Sequence, residues 1–515
     1  MRLKNSIKNI ISGVIAQMLI LLFSFFTRTV FIKILGTTYL GLGSLFSNIM
    51  GLFSLAELGV GQAITFALYK AIADKNQDKI INLMKLYKKI YEGIFLLIIT
   101  LGFSSYFLLD KILKESKELE NVKIIYIIFV LNSAFSYLYI YRNSYIIANQ
   151  KSYIISKVNY SFVIGTNIIQ IIVLYYLKNY IIYLLIQTMS TIFQNIYISK
   201  ICLKLYPFLN NTPSKKIDSI EKKEIFSNIK SLIFYKVGTL ALNSTDNILI
   251  SMYAGLNIVG IYGNYSLIVT SLGGLLSVIF NSMTASIGNL VVKEKIEKKI
   301  EIFKIINFMS FWIYSVSSIM LYILLNDFIK IWIGNQYLLS NLTIIVIVTN
   351  FYISGMLFPT FTYRQTLGLF KYGKFRPIIS AMINLFISII LGKKIGLVGI
   401  LLGTAITRLL TNVWYDPYII FKIEFKISLK KYIKDYFTYA NTFLLLGLTN
   451  YLLLSTILLD NNIIKFFIKG ISSFIISNLI IILFFNKTFE FNYLKNMLNN
   501  KVLKKDLNRR ENGKI

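Results

Sequence analysis

The stretch "ILGTTYLGLGSLFSNIM" (residues 34–50) recurs in the second half of the chain as "YAGLNIVGIYGNYSLIV" (residues 253–269). One constant offset pairs Gly36 with Gly255 and Gly41 with Gly260. Both copies lie where one apolar run ends and the next begins, so we expect a short turn there. Glycine suits such a turn because it allows a positive φ and close packing of helices. The recurrence predicts two related halves.

The composition is that of a membrane protein. Of the 515 residues, 56% are hydrophobic and 15% charged, and the mean hydropathy is +0.64. A soluble chain is usually about a quarter charged. Apolar runs of about 20 residues recur along the whole length, each long enough to cross a hydrocarbon core of about 30 Å as a helix. We predict an all-α integral membrane protein with about 14 transmembrane helices. The predicted spans are about 10–34, 40–68, 88–109, 122–147, 153–177, 180–204, 231–254, 259–290, 305–325, 338–360, 375–392, 395–421, 436–459 and 463–485.

The first apolar run follows the basic lead "MRLKNSIKN" and is too long for the apolar region of a signal peptide. We expect it to be a retained first helix.

The formal charge of +32 is distributed unevenly between the two sides of the predicted helices. If the N-terminus is cytoplasmic, the inner connections hold about four times as many Lys and Arg residues as the outer ones, as the positive-inside rule requires. Both termini are then cytoplasmic. The positive charge faces anionic membrane lipids, and we expect no binding of nucleic acid.

Several kinds of chemistry are excluded by residue counts. The chain has no histidine, so a His-based catalytic triad and a His-ligated metal are impossible. Its single cysteine, Cys202, excludes an internal disulfide. We expect no metal site and no cofactor. The predicted outer connections are short, the longest being about Asp110–Lys123, which leaves no room for an extracellular catalytic domain.

Three passages resemble a known family. They are "AELGVGQAITFALYK" (residues 56–70), "LNSTDNILISMYAGLNIVGIYGNYSLI" (242–268) and "GKFRPIISAMINLFISIILGKKIGLVGILLGTAIT" (373–407). In this order they resemble the bacterial polysaccharide flippases of the multidrug/oligosaccharidyl-lipid/polysaccharide exporter superfamily. The resemblance covers about residues 5 to 425 and is strongest in these passages.

The resemblance implies two pseudo-symmetric six-helix lobes, two further C-terminal helices and a central cavity that opens alternately to either side of a bacterial plasma membrane. Its implied substrate is an undecaprenyl-diphosphate-linked oligosaccharide, and it implies no catalytic residue because flipping breaks no covalent bond. The expected divisions are an N-terminal lobe (1–206), a cytoplasmic linker (207–230), a C-terminal lobe (231–425), two helices (436–485) and a basic cytoplasmic tail (486–515).

Charged residues inside a bilayer are costly, so each should face protein or water. Arg408 lies about 13 residues, or roughly 20 Å, into its predicted helix. We expect it to bind the diphosphate or a sugar acid, for which a guanidinium offers paired donors. The alternative is a buried ion pair with Asp246 or Glu57. Arg28 and Asp246 occupy nearly equivalent places in the repeat, which suggests a bridge between lobes or a substrate site with an adjacent coupling acid.

The remaining intramembrane charges have open interpretations. Arg28 lies near the outer end of its helix and is able to snorkel to the interface. Lys236 and Arg142 lie nearer the inner face and are either substrate-binding residues or positive-inside anchors. Glu57 is either an ion-pair partner of an intramembrane arginine or a protonatable site for ion coupling.

Other functions compete with the flippase interpretation. A multidrug/cation antiporter of the same superfamily comes second, because fold does not determine substrate. A lipid II flippase is a near relative that the sequence separates poorly. A membrane-embedded polysaccharide polymerase fits less well, because the short outer connections show no obvious paired carboxylates. Polysaccharide polymerase machinery is instead a candidate partner of the protein. The sugar, the coupling ion and the oligomeric state stay open.

Overall fold

The structure is a computed structural model. It describes residues 2–53, 57, 68–69, 71–72, 74–107, 109, 121–149, 151–213, 245–367, 369, 372–373, 375–455 and 461–497. Within these ranges the ordered elements are helices, and no strand is present.

The described helices follow one another along the chain and are numbered here in that order. They are α1 (Arg2–Phe53), α2 (Gln77–Tyr106), α3 (Val122–Tyr137), α4 (Ile140–Ala148), α5 (Ser152–Leu177), α6 (Tyr180–Leu205), α7 (Asp246–Ala254), α8 (Leu256–Lys293), α9 (Ile296–Trp332), α10 (Asn341–Met356), α11 (Phe358–Thr366), α12 (Arg376–Ile420), α13 (Lys430–Ser455) and α14 (Asn462–Phe485).

These helices agree with the predicted spans in order and in approximate bounds, except that the fourth span is divided at residues 138–139 and the tenth at Leu357. The helix α1 breaks at Gly36, and α12 breaks at Ile395 and Gly396, so each holds two spans. Among the described residues, 10 helical stretches are long and apolar enough to cross a membrane. The prediction of an all-α integral membrane protein is confirmed. The second and seventh predicted spans are described only in part, and Lys236 and residues 498–515 of the tail lie outside the described residues.

Local sequence sets several helix ends. Three helices have an N-cap whose side-chain oxygen accepts a hydrogen bond from a backbone N–H in the first turn. The capping residues are Asn76, Asn179 and Ser340. Such N-caps satisfy donors that have no partner within the helix. In a membrane protein this matters most near the hydrocarbon, where water is not present to replace a missing hydrogen bond.

The chain divides into two compact units. Unit 1 contains Met1–Gly263 and Phe375–Ile400, and unit 2 contains Asn264–Lys374 and Leu401–Ile515. The core of unit 1 includes a tyrosine-rich cluster built on α2, α3 and α4. In unit 2, aromatic residues of α9, α11 and the segment after α12 form a separate buried cluster. The predicted lobe boundaries at 206 and 231 stay a prediction.

The glycine turns predicted from the repeat have nearly the same backbone conformation. Gly36 has φ 81° and ψ 177°, and Gly255 has φ 88° and ψ 160°. Side chains other than glycine rarely adopt this region, so each glycine lets one helix end and the next begin within a single residue. The prediction that glycine is needed here for its positive φ is confirmed.

The second glycine of each repeat brings two helix backbones into contact within unit 1. A Cβ atom on Gly41 would lie 1.9 Å from the carbonyl oxygen of Leu256, and one on Gly260 would lie 2.0 Å from that of Thr37. The offset that pairs Gly41 with Gly260 also pairs Thr37 with Leu256, so the two contacts are reciprocal. Thr37 adds a hydrogen bond from its Oγ1 to Oδ1 of Asn257, 2.5 Å long. The crossing therefore has no room for any side chain at either glycine.

Replacing Gly260 should test this crossing. We expect Gly260→Ala to lower the free energy of unfolding by about 1–3 kcal/mol, because the new methyl group overlaps a backbone carbonyl that has little freedom to move. Thermal unfolding followed by size-exclusion chromatography of the detergent-solubilised protein measures the effect.

The matched control is Gly274→Ala in the same helix α8, where a Cβ atom meets nothing within 4 Å. This change should be neutral or stabilising, since alanine has a higher helix propensity than glycine. Equal melting temperatures for the two variants would contradict the proposed crossing.

Candidate functional site

A break in the fourth predicted span forms a polar region inside unit 1. The sequence predicts one continuous helix over 122–147, but the structure ends α3 at Tyr137 and begins α4 at Ile140. Leu138 is extended, and Tyr139 lies in the left-handed region with φ 67°. A break of this kind frees backbone groups at membrane depth, which is tolerated only where protein or water satisfies them.

Asn195 of α6 donates to two carbonyl groups beside the break, one of which, that of Phe135, also accepts from the backbone N–H of Leu138. Its Nδ2 atom donates to the carbonyl oxygens of Ser136 and Phe135 at 3.0 and 3.3 Å. The side chain is buried. Sequence reasoning missed this residue, although an asparagine within the apolar run of residues 180–204 is itself a signal, because a buried amide needs partners. The broken helix and Asn195 thus form one unit of structure.

Arg142 lies in the first turn of α4, directly after the break. Its Nη1 atom donates to Oγ of Ser199. The guanidinium carbon lies 5.7 Å from the ring centre of Tyr139 and 5.5 Å from that of Tyr141. These distances are those of cation–π interactions. The described partners of Arg142 are therefore a hydroxyl group and two aromatic rings, none of which neutralises its charge.

Glu57 contacts a row of stacked tyrosines that includes Tyr91 and Tyr137. The hydroxyl group of Tyr91 donates to Oε1 of Glu57 at 3.3 Å. The ring of Tyr91 stacks on Tyr137, the last residue of α3, with ring centres 6.3 Å apart and an interplanar angle of 18°. Glu57 and the broken helix that carries Arg142 thus border the same aromatic row. The described contact of Glu57 is with a neutral hydroxyl group.

Arg28 and Asp246 also belong to unit 1. A Cβ atom on Gly263 would lie 2.9 Å from Nη2 of Arg28 and 3.5 Å from Oγ of Ser44, so the absence of a side chain at Gly263 makes room for the guanidinium group. The neighbouring Thr27 is buried and donates to Oδ1 of Asn167 at 2.6 Å. Asp246 is half-buried in the first turn of α7. A bridge or a coupling site formed by these residues stays a prediction.

Arg408 lies in the second half of α12, within unit 2. Its Nη1 atom donates to the carbonyl oxygen of Asn350 at 3.0 Å and to Oγ of Ser354 at 2.5 Å. Nδ2 of Asn350 in turn donates to the carbonyl oxygen of Leu401 at 2.8 Å. Polar groups of α10 therefore hold one side of the guanidinium group, whose side chain is only partly buried.

A buried ion pair in unit 2 contrasts with these arginines. Arg364 of α11 donates from Nη1 to Oδ1 of Asp416 in α12, and from Nη2 to the carbonyl oxygen of Tyr372. The exposed fractions of the two charged side chains are 1% and 6%. Their charges cancel at a site closed to solvent, so we assign this pair to structure. Sequence reasoning missed it, although Asp416 is an acid inside a predicted span and Arg364 follows the end of another.

Comparison with known proteins identifies the family. Residues 6–287 match the family described as "Polysaccharide biosynthesis protein". This match spans more than half of the chain and includes both copies of the glycine repeat. The chain belongs to this family. No curated protein matches the sequence.

Solved structures show how widely the fold of this polysaccharide biosynthesis protein is shared. The lipid II flippase MurJ in an inward closed conformation matches with a TM-score of 0.65 and 18% identity, covering 93% of this chain and 99% of its own. An inward-facing multidrug resistance MATE family transporter of the MOP superfamily matches with a TM-score of 0.60 and 12% identity. This match covers 79% of this chain and 98% of the transporter. A mutant of the Vibrio cholerae MATE transporter VcmN matches with a TM-score of 0.55 and 12% identity. This match covers 83% of this chain and 99% of that transporter.

These comparisons confirm the resemblance recognised in the sequence. The protein is a multi-pass membrane protein with the fold of flippases and multidrug transporters, and its family places it in polysaccharide biosynthesis. At identities of 12% to 18% the structural matches establish fold and not substrate.

The role of Asn195 can be tested by removing its amide. We expect Asn195→Leu to lower the free energy of unfolding by about 1–3 kcal/mol, because two buried carbonyl groups lose a donor. Thermal unfolding is the measurement. Thr191→Val is a matched control in α6, since its hydroxyl group bonds only to Gln187 one turn earlier among the described contacts. An effect of equal size in the control would contradict the assigned role.

The structural role of the Arg364–Asp416 pair predicts a different pattern. Arg364→Met should cost about 3–5 kcal/mol, because it removes the guanidinium group from a nearly fully buried carboxylate. Adding Asp416→Leu should recover most of that loss. Lys298→Met breaks the exposed pair with Glu301 and should cost less than about 1 kcal/mol. A double variant no more stable than Arg364→Met alone would contradict a simple buried pair.

Proposed function

We propose that this protein is a flippase that moves undecaprenyl-diphosphate-linked oligosaccharide repeat units from the cytoplasmic to the outer leaflet of a bacterial plasma membrane by alternating access. One observation carries the proposal: in a chain of the polysaccharide biosynthesis family, Arg142 lies inside a membrane span with described partners that leave its charge intact. A transporter for an anionic lipid needs such positive charge within the membrane.

The contrast between Arg142 and Arg364 supports this reasoning. Arg364 is buried against the carboxylate of Asp416, which cancels its charge and accepts a hydrogen bond from its Nη1 atom. Arg142 is held by a hydroxyl group and aromatic faces, which orient the guanidinium group without cancelling it. A diphosphate or sugar acid supplies the missing negative charge during transport, and guanidinium groups bind such oxygens through paired hydrogen bonds.

Arg408 is proposed as the second substrate-binding residue. The bonds to Asn350 and Ser354 restrict its rotamers, so less conformational entropy is lost when it binds a ligand. Arg28 and Lys236 complete the proposed set of basic residues. Glu57 and Asp246 are proposed as ion-coupling or ion-pairing acids. Glu57 accepts a hydrogen bond from the hydroxyl group of Tyr91, which holds its carboxylate beside the tyrosine cluster.

The proposed setting follows from charge distribution. With both termini in the cytoplasm, the basic connections face the inner leaflet, and the lipid-linked substrate enters from that side. The polymer-forming machinery of the envelope is the proposed consumer on the outer side. A multidrug or cation antiporter is the competing function, since one of the matched structures is a multidrug resistance MATE family transporter.

Arg408 offers the most direct test. In proteoliposomes the wild type should move an undecaprenyl-diphosphate oligosaccharide across the bilayer, and Arg408→Ala should slow this movement by roughly tenfold or more, since a charged hydrogen bond is worth about 1.5–3 kcal/mol. Arg408→Lys keeps the charge but loses the planar fork, so it should be intermediate. The measurement is the fraction of substrate accessible from outside over time, at matched protein content.

The control is Lys422→Ala, which removes a solvent-exposed lysine from the segment after α12. It should transport at the wild-type rate. If the wild type moves no such lipid but exports organic cations, the antiporter function replaces the proposed one. Unaltered transport by both Arg408 variants would exclude recognition of phosphate by this residue.

A further inference from the structure

A charged cavity lies in unit 2, and Arg408 is not among the residues that line it. Its volume is about 510 Å³, and it lies between α9, α13 and the segment that follows α14. That size falls within the usual range of roughly 300–1,000 Å³ for small-molecule sites. The residues used below are Glu301, Lys304, Lys431, Asp435, Tyr439 and Glu490. None of them belongs to the proposed transport site.

Two lysines and two acidic residues line the cavity without forming ion pairs with one another among the described contacts. Lys304 and Lys431 lie close enough for their ammonium groups to interact, and Asp435 and Glu490 act on the same groups. Among the described residues, no ion pair within 4.0 Å joins any of these four side chains. The fifth charge, Glu301, is already bound to Lys298 at 2.9 Å. Two ammonium groups and two carboxylates therefore face the same space.

Adjacent ammonium groups repel one another unless an anion lies between them. This repulsion is stronger where the dielectric is lower than that of water. A phosphate oxygen placed between Lys304 and Lys431 would reverse the sign of this interaction. The carboxylates of Asp435 and Glu490 would then attract a cation attached to the same ligand.

The floor of the cavity is aromatic. Tyr439 stacks on Phe311 with ring centres 4.4 Å apart and an interplanar angle of 12°. Phe485, the last residue of α14, lies 5.8 Å from Tyr439 between ring centres and also lines the cavity. A ligand with a charged head and an apolar remainder matches this combination of a charged mouth and an aromatic floor.

The position along the helices indicates a membrane interface. Asp435 is in the second turn of α13, and Phe485 ends α14. Lys304 is in the third turn of α9. These ends are the ones that the positive-inside rule places on the cytoplasmic side. The headgroups of inner-leaflet phospholipids lie at this depth.

We propose that this cavity binds the phosphoethanolamine headgroup of an inner-leaflet phospholipid, with the phosphate between Lys304 and Lys431 and the ammonium group at Asp435 and Glu490. An anionic lipid such as phosphatidylglycerol fits less well, because it would leave both carboxylates facing a neutral glycerol. The site does not depend on which substrate the protein transports.

Native mass spectrometry of the purified full-length protein tests this assignment. With phosphatidylethanolamine and phosphatidylglycerol at equal concentration, the wild type should retain the former. The Lys304→Gln/Lys431→Gln variant should bind it roughly tenfold more weakly, a change equivalent to about 1.4 kcal/mol. The Asp435→Asn/Glu490→Gln variant should instead prefer phosphatidylglycerol, because its lysines remain while the carboxylates are gone. This reversal distinguishes a headgroup site from general loss of structure.

Lys330→Gln is the matched control, because it removes a lysine that lies in the last turn of the same helix α9 and does not line the cavity. It should retain phosphatidylethanolamine like the wild type. Unchanged lipid retention in the lysine variant, or unchanged preference in the acid variant, would overturn the proposal. Displacement of the lipid by millimolar inorganic phosphate would also overturn it, in favour of a site for a free anion.

Discussion

The contact between the backbones at Gly41 and Gly260 is the constraint on which unit 1 depends. Each glycine lies against a carbonyl group of the other repeat, so neither helix has space for a side chain at the crossing. Gly36 and Gly255 make this crossing possible, because their positive φ lets each helix begin immediately after the previous one ends. In a membrane, where apolar side chains gain little by leaving lipid, close backbone packing of this kind is a main source of helix association.

The same scarcity of water explains how the polar groups are arranged. A broken helix needs donors for its free carbonyl groups, and Asn195 supplies one to Ser136 and a second one to Phe135, beside the backbone N–H of Leu138. A buried charge needs a counterion, and Asp416 supplies one to Arg364. Arg142 is different, because its described partners orient it and leave its charge uncancelled. Inside a bilayer such a charge is costly, which is why Arg142 carries the functional proposal.

The comparisons place the protein in a polysaccharide biosynthesis family with the fold of membrane flippases and multidrug transporters, and the sites differ in how they hold their charges. Arg142 follows a helix break in unit 1, whereas Arg408 is held by α10 in unit 2. Each is fixed by polar contacts from a neighbouring helix. The charged cavity at α9, α13 and α14 differs from both, because its positive and negative groups are balanced and face one space. A zwitterionic headgroup satisfies that balance, while a transported diphosphate would require an excess of positive charge.

The sequence by itself determined that the chain is an all-α membrane protein, that its halves share a glycine turn, and that Arg408 and Arg142 lie inside spans. These conclusions depend on hydropathy and on local backbone preferences, which are properties of neighbouring residues. The sequence did not determine the break after Tyr137, the bonds from Asn195, the pairing of Arg364 with Asp416 or the charged cavity. Each of these depends on which helix packs against which, and residues distant in the chain meet only through tertiary structure. Only that packing decided which neighbouring groups each of these intramembrane charges contacts.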